Sequence, residues 1–207
     1  MRRITFSLMA AGLVVSIAAS NLASIASDGA ELEKLREDVL RLHILANSDS
    51  TYDQRLKLSV RDALLERSDE IFGDAVGIEQ AEICARQNLT EIERIAEETL
   101  LEQGCCADVR AEVTDMYFDE RVYGDITMPS GEYTALRIEI GKAQGRNWWC
   151  VMYPPLCIPA AGGEDVSDDK DAEDEYFDEK QRDIMKNPEK YEVRFAVWDK
   201  IKDWFGL

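Results

Sequence analysis

Five cysteines and one histidine are the residues of this chain most suited to nucleophilic catalysis. A thiol at Cys150 or Cys157, with His43 as its base, would make an extracytoplasmic Cys/His hydrolase if the chain is exported. Neither cysteine begins a helix, however, and apolar neighbours such as Trp149 disfavour the thiolate that attacks a substrate. A hydrolase therefore stays the alternative function, since a lone histidine on a strand is more often a core or surface residue than a catalyst.

Metal and phosphate sites are not indicated by the spacing of the remaining candidates. A single histidine excludes multi-histidine metal sites, and the cysteines lack the paired CxxC spacing of a zinc site. The acidic run at residues 164–179 lacks the DxDxDG spacing of a calcium loop. GKAQG, residues 141–145, lacks the spacing and the following helix of a phosphate loop, and is predicted to be a turn. The sequence predicts no metal and no cofactor.

The stretch NWWCVMYPPLC, residues 147 to 157, carries no charge and combines two tryptophans, two cysteines and a Pro-Pro pair. It predicts a strand from Trp148 to Tyr153 that the prolines stop. Because neighbouring side chains of a strand point to opposite faces, Trp148 and Trp149 must separate. One of them is expected to fill the core, while the other lies nearer the surface and is available to a partner.

Cys150 and Cys157 are candidate disulfide partners, because disulfides form outside the cytoplasm and an odd number of cysteines leaves at least one thiol over. Closing this short loop would contribute about 2.5 kcal/mol on the chain-entropy estimate. A two-residue turn at Pro154 and Pro155 would place Cys157 opposite Met152, so the pairing requires a shift of register.

The elements that position these residues begin with RLHILA, residues 41–46, which predicts a strand with alternating apolar side chains. NSDS follows as a polar turn. Thr51 and Gln54 then resemble a capping box that opens a helix ending near Phe72.

A second, longer helix is predicted from Ile78 to Glu102. The hydrophobic period then changes from 3.6 to 2, which predicts half-buried strands at residues 109–114 and 136–140 before the strand at Trp148. The order is one strand, two helices, then three or four strands. This order predicts an α+β fold with two helices packed on one face of a mostly antiparallel sheet.

The N-terminus has the layout of a secretory signal. Arg2 and Arg3 precede an uncharged run that extends to Ala26, and Ser24 and Ala26 occupy the −3 and −1 positions of a cleavage site. Residues 1–26 are therefore predicted to be a signal peptide or an N-terminal membrane anchor, and the run is close to the length that spans a bilayer. With cleavage, the mature protein begins near Ser27.

Charge excludes nucleic-acid binding, because the formal net charge is −18 and a phosphate backbone requires the opposite sign. Half of that charge lies in residues 164–179, which hold ten acidic residues and one lysine. Like charges at this density repel one another and bury little apolar surface, which predicts an acidic, disordered linker over residues 161–180. The linker separates a core at residues 27–160 from a C-terminal tail at residues 181–207.

The tail predicts an amphipathic helix with Asn187 as its cap, Pro188 in its first turn and Gly206 at its end. Its apolar side chains recur at steps of three and four residues: Tyr191, Phe195, Trp198, Ile201 and Phe205. This stripe is expected to dock on the protein's own sheet, or otherwise on a membrane or a partner. Its polar face mixes acids with bases, which is weak for anionic lipid.

Two long motifs carry a family resemblance. RLHILANSDSTYDQRLKLSVRDALL, residues 41–65, together with NWWCVMYPPLC resembles the stage II sporulation protein R family of endospore-forming bacteria. The resemblance spans the core and implies a signalling protein that is made in the forespore and secreted into the space between the forespore and mother-cell membranes. There it would activate a membrane-embedded aspartic protease that matures the precursor of sigma-E. The resemblance implies no active site in this chain.

On this interpretation the partner is that protease, and the candidate contact residues lie at strand ends. They are the turn residues Asn47, Ser48 and Asp49, His43 beside them, and whichever of Trp148 or Trp149 is exposed. Polar and aromatic groups at strand ends are commonly presented for binding by a rigid scaffold. Membrane contact is expected through the N-terminal segment or the C-terminal helix.

Overall fold

The computed structural model describes residues 2–154 and 176–205, with side chains from Gly12 onward except those of Val193, Arg194, Asp203 and Phe205. The chain forms two compact units. The sheet unit is Arg36–Phe177, and the terminal unit combines Met1–Leu35 with Asp178–Leu207.

A four-stranded sheet is the centre of the sheet unit, in the order β2-β5-β1-β6. Two of the three strand pairs are antiparallel, and only β1 and β5 run parallel. The sheet is therefore mostly antiparallel, as expected. Its strands are β1 (Leu40–Leu45), β2 (Val109–Phe118), β5 (Gly131–Ile140) and β6 (Asn147–Tyr153); β3 (Arg121–Tyr123) and β4 (Ile126–Met128) form a separate two-stranded hairpin.

Four helices follow β1 in sequence. Their apolar sides pack against one face of the sheet, where every second side chain of the strands points into the shared core. The helices are α2 (Thr51–Glu66), α3 (Ser68–Phe72), α4 (Ile78–Gln87) and α5 (Leu89–Glu102). The shared core includes Leu42, Ile44, Leu56, Val60, Ile95 and Ile138. The predicted α+β class, with helices on one face of the sheet, is confirmed.

Each of the two predicted long helices is interrupted. The first is divided at Arg67, whose backbone φ and ψ are −106° and 23°. The second is divided at Asn88, whose side-chain amide donates to the carbonyl of Ile71 at 2.7 Å. An asparagine that bonds backbone elsewhere competes with the helical ladder, which explains a break that apolar periodicity does not show.

The cap of α2 lies one residue earlier than predicted. Ser50 is the N-cap, and its hydroxyl accepts the backbone N–H of Asp53 at 3.0 Å. The expected box partner, Gln54, instead donates from its amide to the carbonyl of Ser48 at 3.0 Å. Ser50 rather than Thr51 is the cap because Ser50 has the extended ψ of 145° that an N-cap adopts, whereas Thr51 is already helical.

The terminal unit contains all but the last two residues of a long first helix, α1 (Arg2–Glu37), and two C-terminal helices, α6 (Glu179–Lys186) and α7 (Glu192–Phe205). Residues Gly12–Glu37 are long and apolar enough to cross a membrane. Leu13, Val14 and Val15 are each more than 60% exposed, whereas Leu32 is fully buried. This apolar helix is compatible with a signal sequence.

The C-terminal segment packs on the second half of α1 within the terminal unit. Lys180 pairs with the buried Asp28 at 2.8 Å, and Lys202 pairs with Glu33 at 2.9 Å. A Cβ atom added to Gly29 would lie 2.2 Å from the ring of Trp198. The predicted helix of the tail is present, but its stripe was expected on the sheet, and the contact that Trp198 makes is instead with Gly29 of α1.

The start of the tail differs from the prediction. A 3-10 turn, Pro188–Lys190, precedes α7, and Asn187 makes no side-chain cap but donates to Asp183 at 2.8 Å. Asp178 and Gln181 form a capping box that opens α6, so the last residues of the predicted linker are helical. Residues 161–175 of that linker lie outside the described residues, as does Gly206.

Candidate binding site

The polar turn after β1 holds the loop between β5 and β6. The Oδ1 atom of Asn47 accepts the backbone N–H of Lys142 at 3.1 Å. The Oδ1 atom of Asp49 accepts the backbone N–H of Arg146 at 2.7 Å. These bonds join residues about a hundred positions apart, so the turn fixes a distant loop as well as its own backbone.

Ser48 completes the turn from the other side. Its hydroxyl and the amide of Asn47 both donate to the carboxylate of Asp53 in α2. The hydrogen bond from Ser48 is the main cause that lowers the pKa of Asp53, followed by the bond from Asn47. Asn47 and Ser48 are therefore committed to intramolecular bonds.

Glycine is required where the loop touches the turn. Gly145 donates its backbone N–H to the carbonyl of Ala46 at 2.8 Å. A Cβ atom there would lie 2.3 Å from the backbone oxygen of Ser48, which is far inside contact distance. Turn and loop are thus packed backbone to backbone.

Lys57 of α2 holds the same loop by hydrogen bonds to its backbone carbonyls. Its ammonium group donates to Gln54 Oε1 at 2.7 Å and to the carbonyls of Arg146 and Asn147 at 3.0 and 3.4 Å. The residue is 3% exposed, and burial is the main cause that lowers the pKa of Lys57, followed by the charge of Arg146. A lysine buried in this way holds the carbonyls that precede β6 in place.

The two tryptophans lie on opposite faces of β6, where His43 is paired with Trp149 and Ile44 with Trp148. Trp148 packs against the helix-side core, with the guanidinium of Arg61 4.5 Å from its ring centroid. Trp149 faces away from the helices. The two predicted anchor residues are therefore not presented together.

His43 lies flat against Trp149, with ring centroids 4.0 Å apart and planes 8° apart. It is 3% exposed, and neither ring nitrogen makes a hydrogen bond of standard geometry within the described parts of the chain, although the side chain of Asn147 lies near enough to influence the ring. Burial is the main cause that lowers the pKa of His43 to about 4, and the positive charge of Arg137 is the second. The side chain of Asn147 has the opposite, smaller effect and raises the pKa. His43 is neutral at pH 7 and supports Trp149 rather than meeting solvent.

The cysteines do not assemble a dyad with His43 in the described residues. Cys150 is fully buried in the helix-side core and pairs with Leu42, so its side chain points away from the face that holds His43. Cys84, Cys105 and Cys106 are free thiols. Cys157 lies outside the described residues, so its pairing with Cys150 stays a prediction.

An aromatic layer with a buried cation lies on the face away from the helices. The guanidinium of Arg41 is fully buried, 4.5 Å from the ring centroid of Phe118 and 4.9 Å from that of Tyr133. It donates to the hydroxyl of Tyr123 at 2.8 Å and to the carbonyl of Cys150 at 3.1 Å. The aromatic faces and these two acceptors stabilise a charge that makes no ion pair with any described residue.

The β3–β4 hairpin completes this face. Tyr123 donates to the carbonyl of Trp149 at 3.3 Å, and the guanidinium of Arg121 lies 5.9 Å from the ring centroid of Trp149. Phe118 meets the same ring edge-on, with centroids 4.8 Å apart. Trp149 is therefore held on three sides by His43, Phe118 and the hairpin.

An open depression of about 520 Å³ lies beside the Trp149 ring. It joins the hairpin, the polar turn, the loop and β6. Two of its lining residues, Asp49 and Trp149, were predicted from sequence as contact residues. The polar groups and ring that line it are Asp49, Arg121, Gln144, Arg146, Asn147 and Trp149.

Sequence reasoning missed Arg121, Lys57 and Arg41. Arg121 lies on a strand of three residues, which is too short for a period to appear. Lys57 and Arg41 are charged residues at positions where charge predicts exposure. No group of three or more His, Cys, Asp or Glu residues suited to a metal is found where side chains are described.

Comparison with known proteins relates the chain to one family. Residues 36–162 match the family model described as stage II sporulation protein R. A relative named stage II sporulation protein R, from Bacillus subtilis (strain 168), is 35% identical over 185 residues, covering 82% of this chain and 83% of the relative. No solved structure matches the chain.

Proposed function

The chain belongs to the stage II sporulation protein R family, and from that premise we propose that it is an exported signal that acts by binding. Its target is a membrane-embedded aspartic protease, which it switches on from the space between the forespore and mother-cell membranes. The activated protease then matures the sigma-E precursor in the mother cell. The apolar helix α1 is compatible with export to that space.

The observation that carries the proposal is the meeting of the two resemblance motifs at one sheet edge. β1 and β6 are paired, so the polar turn that follows β1 in the first motif lies beside Trp149, near the start of the second motif. Asp49 and Trp149 line the same depression as a result. The two motifs of unusual composition therefore contribute residues to one surface, the depression beside Trp149.

Rigidity supports a binding role for that surface. Asn47, Asp49 and Lys57 tie the loop to the turn and to α2. His43 and Phe118 fix the ring of Trp149. A surface ordered before contact loses less conformational entropy when it binds, which favours affinity.

Activation requires that the chain bind the active state of the protease better than the inactive state. Each tenfold shift in that equilibrium needs about 1.4 kcal/mol of differential binding free energy. An aromatic anchor is typically worth about 2 kcal/mol or more when it is truncated. Loss of Trp149 should therefore lower activation more than tenfold when the signal is below saturation.

The test uses a host that holds only the protease and the sigma precursor, with this chain supplied outside the membrane. Cleavage of the precursor should depend on the chain and should fall more than tenfold with Trp149→Ala. Val76→Ala, at an 80% exposed position, is the control that should change nothing. Circular dichroism of Trp149→Ala must show a folded chain.

Two results would defeat the proposal. Cleavage that is the same with and without the chain would remove the activating role. Peptide hydrolysis by the purified chain alone would favour the Cys/His hydrolase instead.

A further inference from the structure

The depression beside Trp149 has an unpaired cation at its edge. Arg121 makes no ion pair with any residue in the ranges 12–154 and 176–205 whose side chain is described, and its guanidinium lies 5.9 Å from the ring centroid of Trp149. The second guanidinium of the depression, Arg146, is 80% exposed and lies 3.8 Å from Asp49. Two arginines and one aspartate leave a net charge of +1 in a chain whose total charge is −18.

We infer that this depression binds a carboxylate-bearing segment of a protein partner, with Arg121 as the anion-binding group and the Trp149 ring as the apolar wall beside it. The inference deepens the proposed function, on which it rests for the identity of the partner as the protein that is activated. It assigns the chemistry of the contact, which is an acidic side chain or a chain terminus next to an apolar group.

The geometry of the groups favours a carboxylate. A guanidinium presents a planar fork of donors that matches two carboxylate oxygens. The amides of Asn147 and Gln144 line the same depression and offer further neutral donors. The ring of Trp149, held by His43 and Phe118, gives a flat apolar surface within reach of the same ligand.

The surrounding charge disfavours the other anions. Asp49 lies inside the depression and repels a doubly charged phosphate more than a singly charged carboxylate. An anionic lipid surface or a nucleic acid would also meet the net charge of the whole chain. A single carboxylate on a protein segment contacts Arg121 directly. Most acidic residues of this protein then lie farther from that carboxylate than the distance over which salt screens their repulsion.

The experiment is a titration of the full chain, kept soluble in a non-ionic detergent, with the peptide acetyl-Leu-Glu-Leu-amide. Nuclear magnetic resonance follows the indole N–H of Trp149 and the side-chain N–H of Arg121. We expect both signals to shift with the glutamate peptide and not with acetyl-Leu-Gln-Leu-amide. Arg121→Gln should weaken binding about tenfold, the equivalent of about 1.4 kcal/mol.

Arg110→Gln is the matched control, because Arg110 is an exposed arginine on β2 outside the depression. It should leave the affinity unchanged. The titration is repeated in a chain with Asp168, Asp169 and Asp171 changed to Asn, so that the acids of the chain's own linker compete less.

Three results would overturn the inference: no shift in either chain, equal shifts with the glutamine peptide, or tighter binding of inorganic phosphate or of anionic vesicles than of the glutamate peptide. A negative titration combined with normal precursor cleavage would remove the carboxylate assignment and leave the proposed function intact. Loss of cleavage dependence on the chain would instead remove the proposed function itself.

Discussion

Single residues on the face away from the helices show how the fold accepts polar groups without exposing them. Arg41 is stabilised by aromatic faces and by two neutral acceptors rather than by a carboxylate. His43 is buried against Trp149 without a hydrogen bond of standard geometry to its nitrogens in the described structure. His43 stacks on Trp149, and Arg41 contacts Phe118 and Tyr123, which both contact Trp149, so their burial is connected with how firmly Trp149 is held.

His43 should make the free energy of unfolding depend on pH. Its pKa falls from 6.5 to about 4 in the folded protein, so the unfolded chain binds more protons between these values. Stability is therefore full above pH 6.5 and is lost as the pH falls toward 4. The free energy of unfolding measured with urea should be lower at pH 4.5 than at pH 7, and His43 should account for about 2 kcal/mol of the difference.

His43→Phe is the control, because phenylalanine can stack on Trp149 and does not titrate. The difference between pH 7 and pH 4.5 should shrink by about the same 2 kcal/mol. Carboxylates with lowered pKa values, such as Asp53, contribute mainly below this window. An unchanged difference in the phenylalanine variant would show that His43 is not the titrating group.

The predicted disulfide is tested at the level of its two sulfur atoms. We expect mass mapping of exported, unreduced protein to find Cys150 linked to Cys157. Cys84, Cys105 and Cys106 should react with a thiol reagent, because they are free in the structure. Recovery of Cys150 and Cys157 as alkylated thiols would show that the pairing is wrong.

At the scale of elements, the loop before β6 depends on Lys57. Lys57→Met keeps the length of the side chain but leaves the carbonyls of Arg146 and Asn147 without their donor. We expect a loss of about 1–3 kcal/mol of stability and faster hydrogen exchange over residues 141–149. Arg55→Met, at an exposed position of the same helix, should change neither quantity by much.

The periodic spacing of apolar residues predicted the main helices and strands, because an element that packs on one side needs apolar side chains at that spacing. Alternation at residues 109–114 and 136–140 gave β2 and β5, whose inner side chains are indeed in the core. The division at Asn88 was missed because it depends on a bond to Ile71, seventeen residues away. The β3–β4 hairpin was missed because strands of three residues show no period.

The site was only partly predictable for the same reason. Asp49 and Trp149 lie in unusual local sequence, so composition pointed to them. Arg121 reaches the depression through the hairpin, which no local pattern reveals. The partition of Trp148 and Trp149 between faces follows from strand geometry, but which one faces the core depends on the pairing of β6 with β1.

Gly29 should control the packing of α7 on α1. A Cβ atom at this position would lie 2.2 to 2.6 Å from ring atoms of Trp198, and an indole ring cannot yield as a flexible side chain does. Gly29→Ala should cost about 1–3 kcal/mol in the packing of α7 and increase its cleavage by a protease. Ala30→Leu adds bulk at an exposed neighbouring position and should have no such effect.

At the scale of the whole molecule, apolar surface and charge are distributed unevenly along the chain. The exposed apolar side chains of α1 precede the predicted cleavage site at Ala26, while the residues that pack with α6 and α7 follow it. Cleavage there would remove the membrane-competent part and keep Asp28, Gly29 and Glu33. It would also remove two arginines and bring the formal net charge from −18 to −20.

This distribution predicts how membrane contact divides between precursor and mature protein. The full chain should sediment with lipid vesicles, because Leu13, Val14 and Val15 are exposed. A chain that begins at Ser27 should remain in the supernatant. Its C-terminal stripe is occupied, since Tyr191 is 5% exposed and Trp198 lies against Gly29. N-terminal sequencing of exported protein should find Ser27 first.

Neutral and anionic vesicles separate the two physical reasons for this expectation. If occupancy of the stripe prevents binding, the chain that begins at Ser27 stays soluble with both kinds of lipid. If only its net charge prevents binding, it sediments with neutral vesicles and not with anionic ones. The peptide of residues 187–207 alone, whose stripe has no α1 to cover it, is the positive control on neutral vesicles. Strong binding of the mature chain to anionic vesicles would contradict both reasons and assign the C-terminal helix to the membrane.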